Sequence, residues 1–518
     1  MNNRVEQDMK KDTAAAGGEA GARPIVYICT AVLVFVTIYT LGLRIDIFTT
    51  AFDMIQDSFG FIYFYGFMII GCGLTGLGMI VYMLVNGRKK GSIFKAVRTD
   101  IVLLAALLLW MFFSAFMNRD LGFRENLSGV ITISVTVVCF YLIGREFDKN
   151  ELGFILKRVI LWGSLVWNIG CVISLVMYLA NYRGYYKFGG FIRRSRQGIM
   201  EGRLFGCFSD PNYAAMISLL LMGGLIYLCY RFYNRENKAG ISKAIRIYCY
   251  TSMVIYALYI ILSGSRSSYT ALILTTVVVV WLRAYRMRKL GLTSEGGRVA
   301  GLFNRVAPTD KDVVRAYILR PLIVVGLMLA LYFALVFGLQ TVGSAFSPER
   351  DTETELERDD VSVENISNSR FDIWLDYLGL VRDRPVYGFS SRGALIYSAE
   401  KNPDSYISEK GYNPHSMFVQ MLVQTGVVGL LLLIVFLLRM LLLSIKRCRA
   451  MEPIDLSFYL GLFWVLIHGV YCVFNVGIFI TPCFEAMLAW IGFGIMEQNV
   501  RKDIGDTHGN DIHNNTGI

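Results

Sequence analysis

The sequence has few charged residues, few histidines and no cysteines at metal-binding spacing. Only 18% of the 518 residues are charged, whereas 55% are hydrophobic and the mean hydropathy is +0.49. A water-soluble core could not bury so much apolar surface, so the composition excludes an ordinary soluble enzyme. None of the ten cysteines forms a Cys-x-x-Cys pair, which gives no support for a zinc site or a disulfide framework. Lipid is therefore the expected solvent for most of the chain.

Long apolar runs recur along the chain, and each is close to the length that crosses a bilayer. A hydrocarbon core of roughly 30 Å requires about 20 apolar residues in a helix. These runs predict an all-α polytopic membrane protein with about twelve transmembrane helices. The predicted spans are 25–43, 61–85, 101–117, 128–144, 156–180, 212–230, 247–263, 268–282, 322–339, 416–443, 457–474 and 478–496.

Charge differences between the loops predict the orientation. Cytoplasmic loops of membrane proteins hold an excess of Lys and Arg. The segment 283–320 has nine basic and three acidic residues, whereas 340–413 has eight basic and fourteen acidic residues. The second segment is therefore predicted to be one large external loop, with both termini cytoplasmic. The net charge of +11 comes mainly from inner loops, so it requires no nucleic-acid partner.

Composition also divides the chain into five predicted regions. The N-terminus lacks the short apolar core and cleavage site of a signal peptide, and the C-terminus is polar, as disordered tails are. The regions are a polar cytoplasmic N-terminus at 1–24, N-terminal membrane helices at 25–200, a membrane region with the external loop at 201–443, C-terminal membrane helices at 444–496 and a disordered cytoplasmic tail at 497–518.

Arginines are concentrated in the predicted external loop 181–211, although an excess of Lys and Arg is typical of cytoplasmic loops. This loop has six basic and two acidic residues. One interpretation is a solvated basic face or contact with lipid phosphates. The other is a site for phosphate or pyrophosphate, because the guanidinium fork matches such oxygens. The arginines are Arg183, Arg193, Arg194, Arg196 and Arg203.

A further arginine, Arg266, lies in the short turn between the seventh and eighth predicted spans. A charge at membrane depth costs on the order of 3 kcal/mol unless it is paired or lies in a wet cavity. Arg266 is therefore a candidate functional residue. The alternative is that its side chain reaches the outer interface and serves no further role.

Histidine is scarce, because the chain has only four, and His508 and His513 lie in the predicted tail. His468 lies within an apolar span, which favours a packing role. His415 lies where the external loop re-enters the membrane, and an imidazole with an ordinary pKa near 6.5 suits proton transfer with a hydroxyl group there. The alternative for His415 is an interfacial histidine that is bonded to backbone.

The external loop also has apolar residues at spacings of three and four. This pattern predicts an amphipathic helix along the membrane surface. The residues are Phe371, Trp374, Leu375, Leu378 and Val381.

Several short motifs follow one another between residues 200 and 440. They are residues 202–206 with 210–212, then 263–266, 369–374, 385–388, and 414–418 with 424–429. In this order, together with the spans and the external loop, they resemble the O-antigen polymerase and ligase family of bacterial polysaccharide enzymes. The chain departs from the family pattern at Ser416, because the family usually has Asn after the histidine.

The resemblance implies a glycosyltransferase in the cytoplasmic (inner) membrane of a bacterium, with its active site on the external face. The donor would be a glycan on a polyprenyl diphosphate, and the acceptor a sugar hydroxyl of another glycan. The family pattern requires no metal and no cofactor. Membrane lipid surrounds the enzyme, and a chain-length regulator is a partner expected from the family alone. Region 201–443 would be the catalytic region.

The resemblance also implies roles for individual residues. Arg266 and Arg370 would hold the diphosphate, and His415 would remove or hydrogen-bond the proton of the acceptor hydroxyl. These three are the candidate catalytic residues. Asp210 has an alternative role as a helix cap. The candidate substrate-binding residues are Arg203, Asp210, Asn212, Arg193, Arg194, Arg196 and Trp374.

Three functions other than a repeat-unit polymerase remain open from the sequence. A ligase that moves a finished glycan onto an acceptor uses the same residues. A transporter of lipid-linked glycans or small solutes fits twelve spans, but the two halves show no repeat and the polar candidates concentrate on the outer side. A scaffold for envelope assembly would leave Arg266 and His415 without a role.

Overall fold

The computed structural model of the chain describes residues 23–46, 61–89, 98–187, 194–200, 202–231, 243–289, 370–405, 407–408, 411, 413–449, 456–473, 475 and 482–513, and four single positions between 322 and 335. Thirteen helices lie within this part of the chain. They are α1 Pro24–Gly42, α2 Phe61–Lys89, α3 Thr99–Met117, α4 Phe123–Glu146, α5 Lys149–Leu179, α6 Pro211–Arg231, α7 Lys243–Ser263, α8 Arg266–Lys289, α9 Arg370–Val381, α10 Ser390–Lys401, α11 Met417–Arg449, α12 Leu456–Val473 and α13 Phe484–His513.

Nine of the described helices, α1 to α7, α11 and α12, are long and apolar enough to cross a membrane. Large apolar side chains such as Leu74, Leu109 and Leu442 are exposed on these helices, as expected where lipid covers them. The predicted all-α polytopic class is therefore confirmed.

The number of twelve spans stays a prediction. Helix α8 corresponds to the eighth predicted span but contributes only the shorter apolar stretch Arg266–Val279. The predicted span 322–339 lies outside the described residues except for single positions. Helix α13 continues to His513, whereas the sequence predicts a disordered tail from residue 497.

A small antiparallel sheet interrupts the helices between α5 and α6. Its strands, in the order β1-β2-β3, are β1 Arg183–Lys187, β2 Arg194–Met200 and β3 Arg203–Gly206. From the sequence this segment is predicted only as a basic loop. Gly206 has φ +63°, and a Cβ there would lie 2.0 Å from Ser174 Oγ, so only glycine lets the sheet approach α5 this closely.

The sheet marks one end of the helix bundle, which we call the site end. There the backbone N–H of Asp46, just after α1, donates to the carbonyl oxygen of Cys207 over 2.9 Å, and Ile45 bridges Phe208. At the opposite end, ion pairs join helix ends that are distant in sequence. These pairs are Arg23–Glu151, Arg145–Asp100 and Arg439–Glu497.

Helix α11 is interrupted at Gly426, which has φ +66° and ψ −170°. The break releases backbone carbonyl groups that must find other partners in a membrane. Ser114 Oγ donates to the Gln424 carbonyl oxygen and Trp110 Nε1 donates to that of Thr425, each over 2.8 Å. Two polar side chains of α3 therefore stabilise the interruption.

The segment between α9 and α10 forms backbone hydrogen bonds with α11 on both sides of this break. The Val427 N–H donates to the Pro385 carbonyl oxygen, and the Phe389 N–H donates to that of Val423, each over 2.8 Å. Gly388 has φ +65°, and a Cβ there would lie 2.5 Å from the Val423 carbonyl oxygen. The break in α11 is thus the point where the bundle contacts the polypeptide between α9 and α10.

Helix α9 is the amphipathic helix predicted in the external loop, and the structure confirms it as a helix. It carries two apolar faces. Ile373, Tyr377 and Leu380 are buried in a small core with residues of the α9–α10 segment. The exposed apolar residues are Phe371, Leu375 and Leu378.

Candidate active site

The β3–α6 junction and the α7–α8 turn meet at the site end through Arg203. This side chain is buried, its Nε donates to the Ser263 carbonyl oxygen over 2.9 Å, and its Nη2 donates to Asn212 Oδ1 over 2.8 Å. The guanidinium fork therefore joins the start of α6 to the end of α7. Two of the hydrogen bonds of this buried side chain are therefore made within the protein.

Asp210 caps α6, because its Oδ1 accepts a hydrogen bond of 2.7 Å from the Asn212 backbone N–H. The capping interpretation is therefore confirmed. The same carboxylate also interacts electrostatically with His415. Asp210 thus caps α6 and raises the pKa of His415 by its charge.

Arg266 is the exposed first residue of α8. The preceding turn is tight, since Gly264 has φ +58° and Ser265 is buried, with its Oγ 2.9 Å from Ser268 Oγ. The first backbone N–H groups of a helix lack helical partners and carry partial positive charge. Arg266 therefore adds its charge to a helix terminus that already favours anions.

Helix α9 lies against the segment that leads into α11. Trp374 Nε1 donates to the Pro414 carbonyl oxygen over 2.7 Å, and the Phe371 ring meets the Trp374 ring edge to face at 5.5 Å. Arg370 is the first residue of α9, and its charge lowers the pKa of His415. Trp374 therefore joins α9 to the segment that carries His415.

His415 occupies a backbone conformation that is rare for histidine, with φ +48°. Such a conformation costs on the order of 1 kcal/mol and persists only where its surroundings impose it. Burial lowers the pKa of His415, Arg370 lowers it further, and Asp210 partly offsets both. The imidazole is therefore mainly neutral near pH 7 and suited to accept a proton.

Of the remaining predicted arginines, Arg194 and Arg196 are on β2 of the sheet. The Cζ atoms of Arg196 and Arg203 each lie 5.6 Å from the centre of the Phe205 ring, so this ring holds two guanidinium groups together. Arg194 is the first residue of β2, and Arg193 lies outside the described residues. The structure thus brings Arg196 beside the buried Arg203.

Two charged residues at the site end were missed from the sequence. Arg44 Nη2 lies 3.5 Å from Glu485 Oε1, and the Arg44 Cζ lies 4.6 Å from the centre of the Tyr213 ring. Arg44 also interacts electrostatically with Asp210. The sequence did contain a signal for Glu485, because it lies within the predicted span 478–496. An ionisable residue inside a membrane span is a functional candidate.

Residues 251–434 match a protein family described as O-antigen ligase. The match runs from α7 into α11 and includes Arg266, Arg370, Trp374 and His415, whereas Arg203 and Asp210 precede it. A search of curated proteins gives no match. The predicted resemblance is confirmed over this region, because residues 251–434 are similar to the O-antigen ligase family.

Proposed function

We propose that this protein transfers a glycan from a polyprenyl diphosphate to a sugar hydroxyl of an acceptor glycan, and that it polymerises repeat units of a surface polysaccharide. The observation that carries the proposal is the hydrogen bond of 2.7 Å from Trp374 Nε1 to the carbonyl oxygen of Pro414, which joins the helix that begins at Arg370 to the residue before His415. The charges of Arg370 and Asp210 shift the pKa of His415 in opposite directions. A neutral base beside an anion-binding group is what transfer from a diphosphate to a hydroxyl needs.

In the proposed reaction, the acceptor hydroxyl oxygen attacks the anomeric carbon of the donor glycan. The bond between that carbon and the diphosphate oxygen breaks, and the lipid diphosphate leaves with the electron pair. His415 accepts the hydroxyl proton as the new glycosidic bond forms, and returns it to solvent or to the departing diphosphate. Atoms and charges therefore balance without an oxidant or reductant.

The leaving group requires positive charge, because negative charge develops on the diphosphate as the bond breaks. Arg266 and Arg370 are each the first residue of a helix. A phosphate oxygen at either terminus would meet both a guanidinium group and backbone N–H groups. The proposal assigns this task to arginines rather than to a metal ion.

We further propose that the site faces the outside of the cytoplasmic membrane. The charge rule supports this orientation, since the external-loop helices α9 and α10 belong to the segment with fourteen acidic and eight basic residues. The donor would then be used on the side of the membrane where surface polysaccharide is assembled.

A ligase is the second candidate, and the description of the matched family favours it. Both reactions share the donor and the chemistry, so only the acceptor distinguishes them. A polymerase uses another lipid-linked repeat unit as acceptor, whereas a ligase uses a different acceptor molecule, such as the glycan core of an outer-membrane lipid.

The test uses purified protein in detergent with the lipid-diphosphate-linked repeat unit of the source strain. A ladder of glycan lengths would support the polymerase, and transfer only after addition of a separate acceptor would support the ligase. His415→Ala and Arg266→Ala should abolish either product, whereas His508→Ala, outside the candidate site, should leave it intact. The protein is also reconstituted into lipid vesicles. Movement of unreacted donor across the vesicle bilayer without any new glycosidic bond would refute both enzymes and favour the transporter.

A further inference from the structure

A second polar cluster lies beside Asp210 and is not used by the reaction proposed above. It consists of Arg44, Tyr213, Tyr471 and Glu485. The Arg44 guanidinium lies over the Tyr213 ring, and the Tyr213 and Tyr471 rings are 5.9 Å apart. Since Tyr213 follows Asp210 by only three residues, the cluster continues directly from the candidate active site.

The cluster is partly open to its surroundings. The Arg44 side chain is 29% exposed, whereas that of Glu485 is 1% exposed. Burial alone would lower the pKa of Arg44, but Glu485 and the smaller contributions of Cys483, Tyr213 and Asp210 together raise it. Glu485 is therefore the buried ion-pair partner of Arg44. Arg44 and the partly buried Tyr213 form the accessible surface of the cluster.

Hydrogen-bonding capacity remains unused in this cluster. Neither the buried Tyr471 hydroxyl nor Glu485 Oε1 has a hydrogen-bond partner within the part of the chain that is described. Buried polar groups normally have such partners. A ligand that carries several hydroxyl groups, or a water molecule held by that ligand, supplies both donors and acceptors.

The net charge of the cluster and Asp210 indicates which part of the substrate binds there. Arg44, Glu485 and Asp210 together have a formal net charge of −1, which disfavours a diphosphate and suits neutral hydroxyl groups. Arg44 and His415 both interact electrostatically with Asp210. A sugar bound by Arg44 and Tyr213 would therefore lie at the start of α6, the helix that Asp210 caps.

We propose that Arg44, Asp210 and Tyr213 form the subsite for the acceptor sugar, supported by Glu485 and Tyr471. This inference rests on the proposed glycosyl transfer and adds the location of the acceptor. The guanidinium fork and the carboxylate bind neighbouring hydroxyl groups of the sugar, and the tyrosine ring borders its apolar face.

The test compares wild type with Arg44→Lys, which keeps the charge but loses the planar fork. Arg158→Lys is the matched control. Arg158 also lies over an aromatic ring, that of Phe154, but it is in the first half of α5, away from the site end of the bundle. The acceptor probe is the repeat-unit oligosaccharide released from the polysaccharide of the source strain. Its KM, the donor KM and its direct binding by saturation-transfer NMR are measured on folded, monodisperse protein.

Arg44→Lys should raise the acceptor KM by about tenfold, with a change of less than about twofold in the donor KM, and should weaken acceptor binding in NMR. Glu485→Gln should act in the same direction, since it releases Arg44. An unchanged acceptor KM, or a loss confined to the donor, would overturn the subsite. If wild type forms no glycosidic bond, the proposed function fails, and the NMR comparison still decides whether Arg44 binds the oligosaccharide.

Discussion

Trp374 Nε1 donates a hydrogen bond of 2.7 Å to the carbonyl oxygen of Pro414, the residue immediately before His415. Through this contact α9 is fixed to the segment that carries the candidate base, His415. Arg370 lies one turn before Trp374 on the same helix. On the proposed function, the distance between the candidate base and the candidate anion-binding residue depends on this hydrogen bond.

We expect Trp374→Phe to reduce glycan transfer by about tenfold, because the lost hydrogen bond lets α9 shift and small misplacements of reacting groups are costly. Initial rates at saturating donor would measure the effect. Trp281→Phe, on the exposed side of α8, serves as the control. Equal rates for both variants would show that Trp374 does not position the site.

The pH dependence of transfer should follow the charges around His415. The proposed base must be neutral, so activity is lost as the pH falls through the His415 pKa. Arg370 lowers that pKa, and Arg370→Gln should therefore move the acid limb of the pH–rate profile to higher pH. Lower residual activity would not obscure this shift, because the profile is normalised to its own maximum.

Asp210 raises the His415 pKa, so Asp210→Asn should move the acid limb to lower pH. Asp372→Asn, on the exposed face of α9, should leave the profile where it is in wild type. Shifts of Arg370→Gln and Asp210→Asn in the same direction would contradict the assignment of His415 as the titrating group.

Gly426→Ala should strongly destabilise the protein or prevent its assembly. A Cβ at this residue would lie 2.2 Å from the Val386 carbonyl oxygen, and the backbone has φ +66°. Gly78→Ala is a matched control within a membrane helix, because a Cβ there meets nothing within 4 Å. Thermal unfolding in detergent should give a clearly lower Tm for Gly426→Ala only, and similar values for both variants would refute the role of the break.

The ion pair between Asp100 and Arg145 should contribute to stability. Arg145 Nε lies 2.6 Å from Asp100 Oδ2, and both side chains are 0% exposed. Asp100→Asn would leave the buried Arg145 with one carboxylate partner, Glu146, in place of two, which we expect to cost about 3 kcal/mol. Asp383→Asn, which removes a partner of the exposed Lys401, should change the unfolding free energy little. Equal effects of the two variants would contradict this ranking.

Much of the membrane architecture could be predicted from the sequence, since a run of about 20 apolar residues is a local signal with a direct physical cause. The amphipathic helix α9 was predicted for a similar reason. The sheet at 183–206 was missed because three short strands with few apolar residues carry little periodicity.

The candidate site was predictable only in part. Order and spacing of motifs pointed to Arg266, Arg370 and His415, but they gave no reason for the glycines at 388 and 426. These residues meet across the break in α11, and a contact between two distant backbone segments leaves no local pattern. The ion pair between Arg44 and Glu485 likewise leaves no local pattern, because it forms only when α1 packs against α13.

The central claim is that His415 serves glycosyl transfer from a lipid diphosphate. Its most direct test is a single-turnover reaction with a donor labelled in its glycan, followed by mass spectrometry of glycan and lipid products. Wild type should form one labelled glycosidic bond for each lipid diphosphate released, and His415→Ala should bind the donor but release neither product. Release of both products by His415→Ala at the wild-type rate would contradict the account.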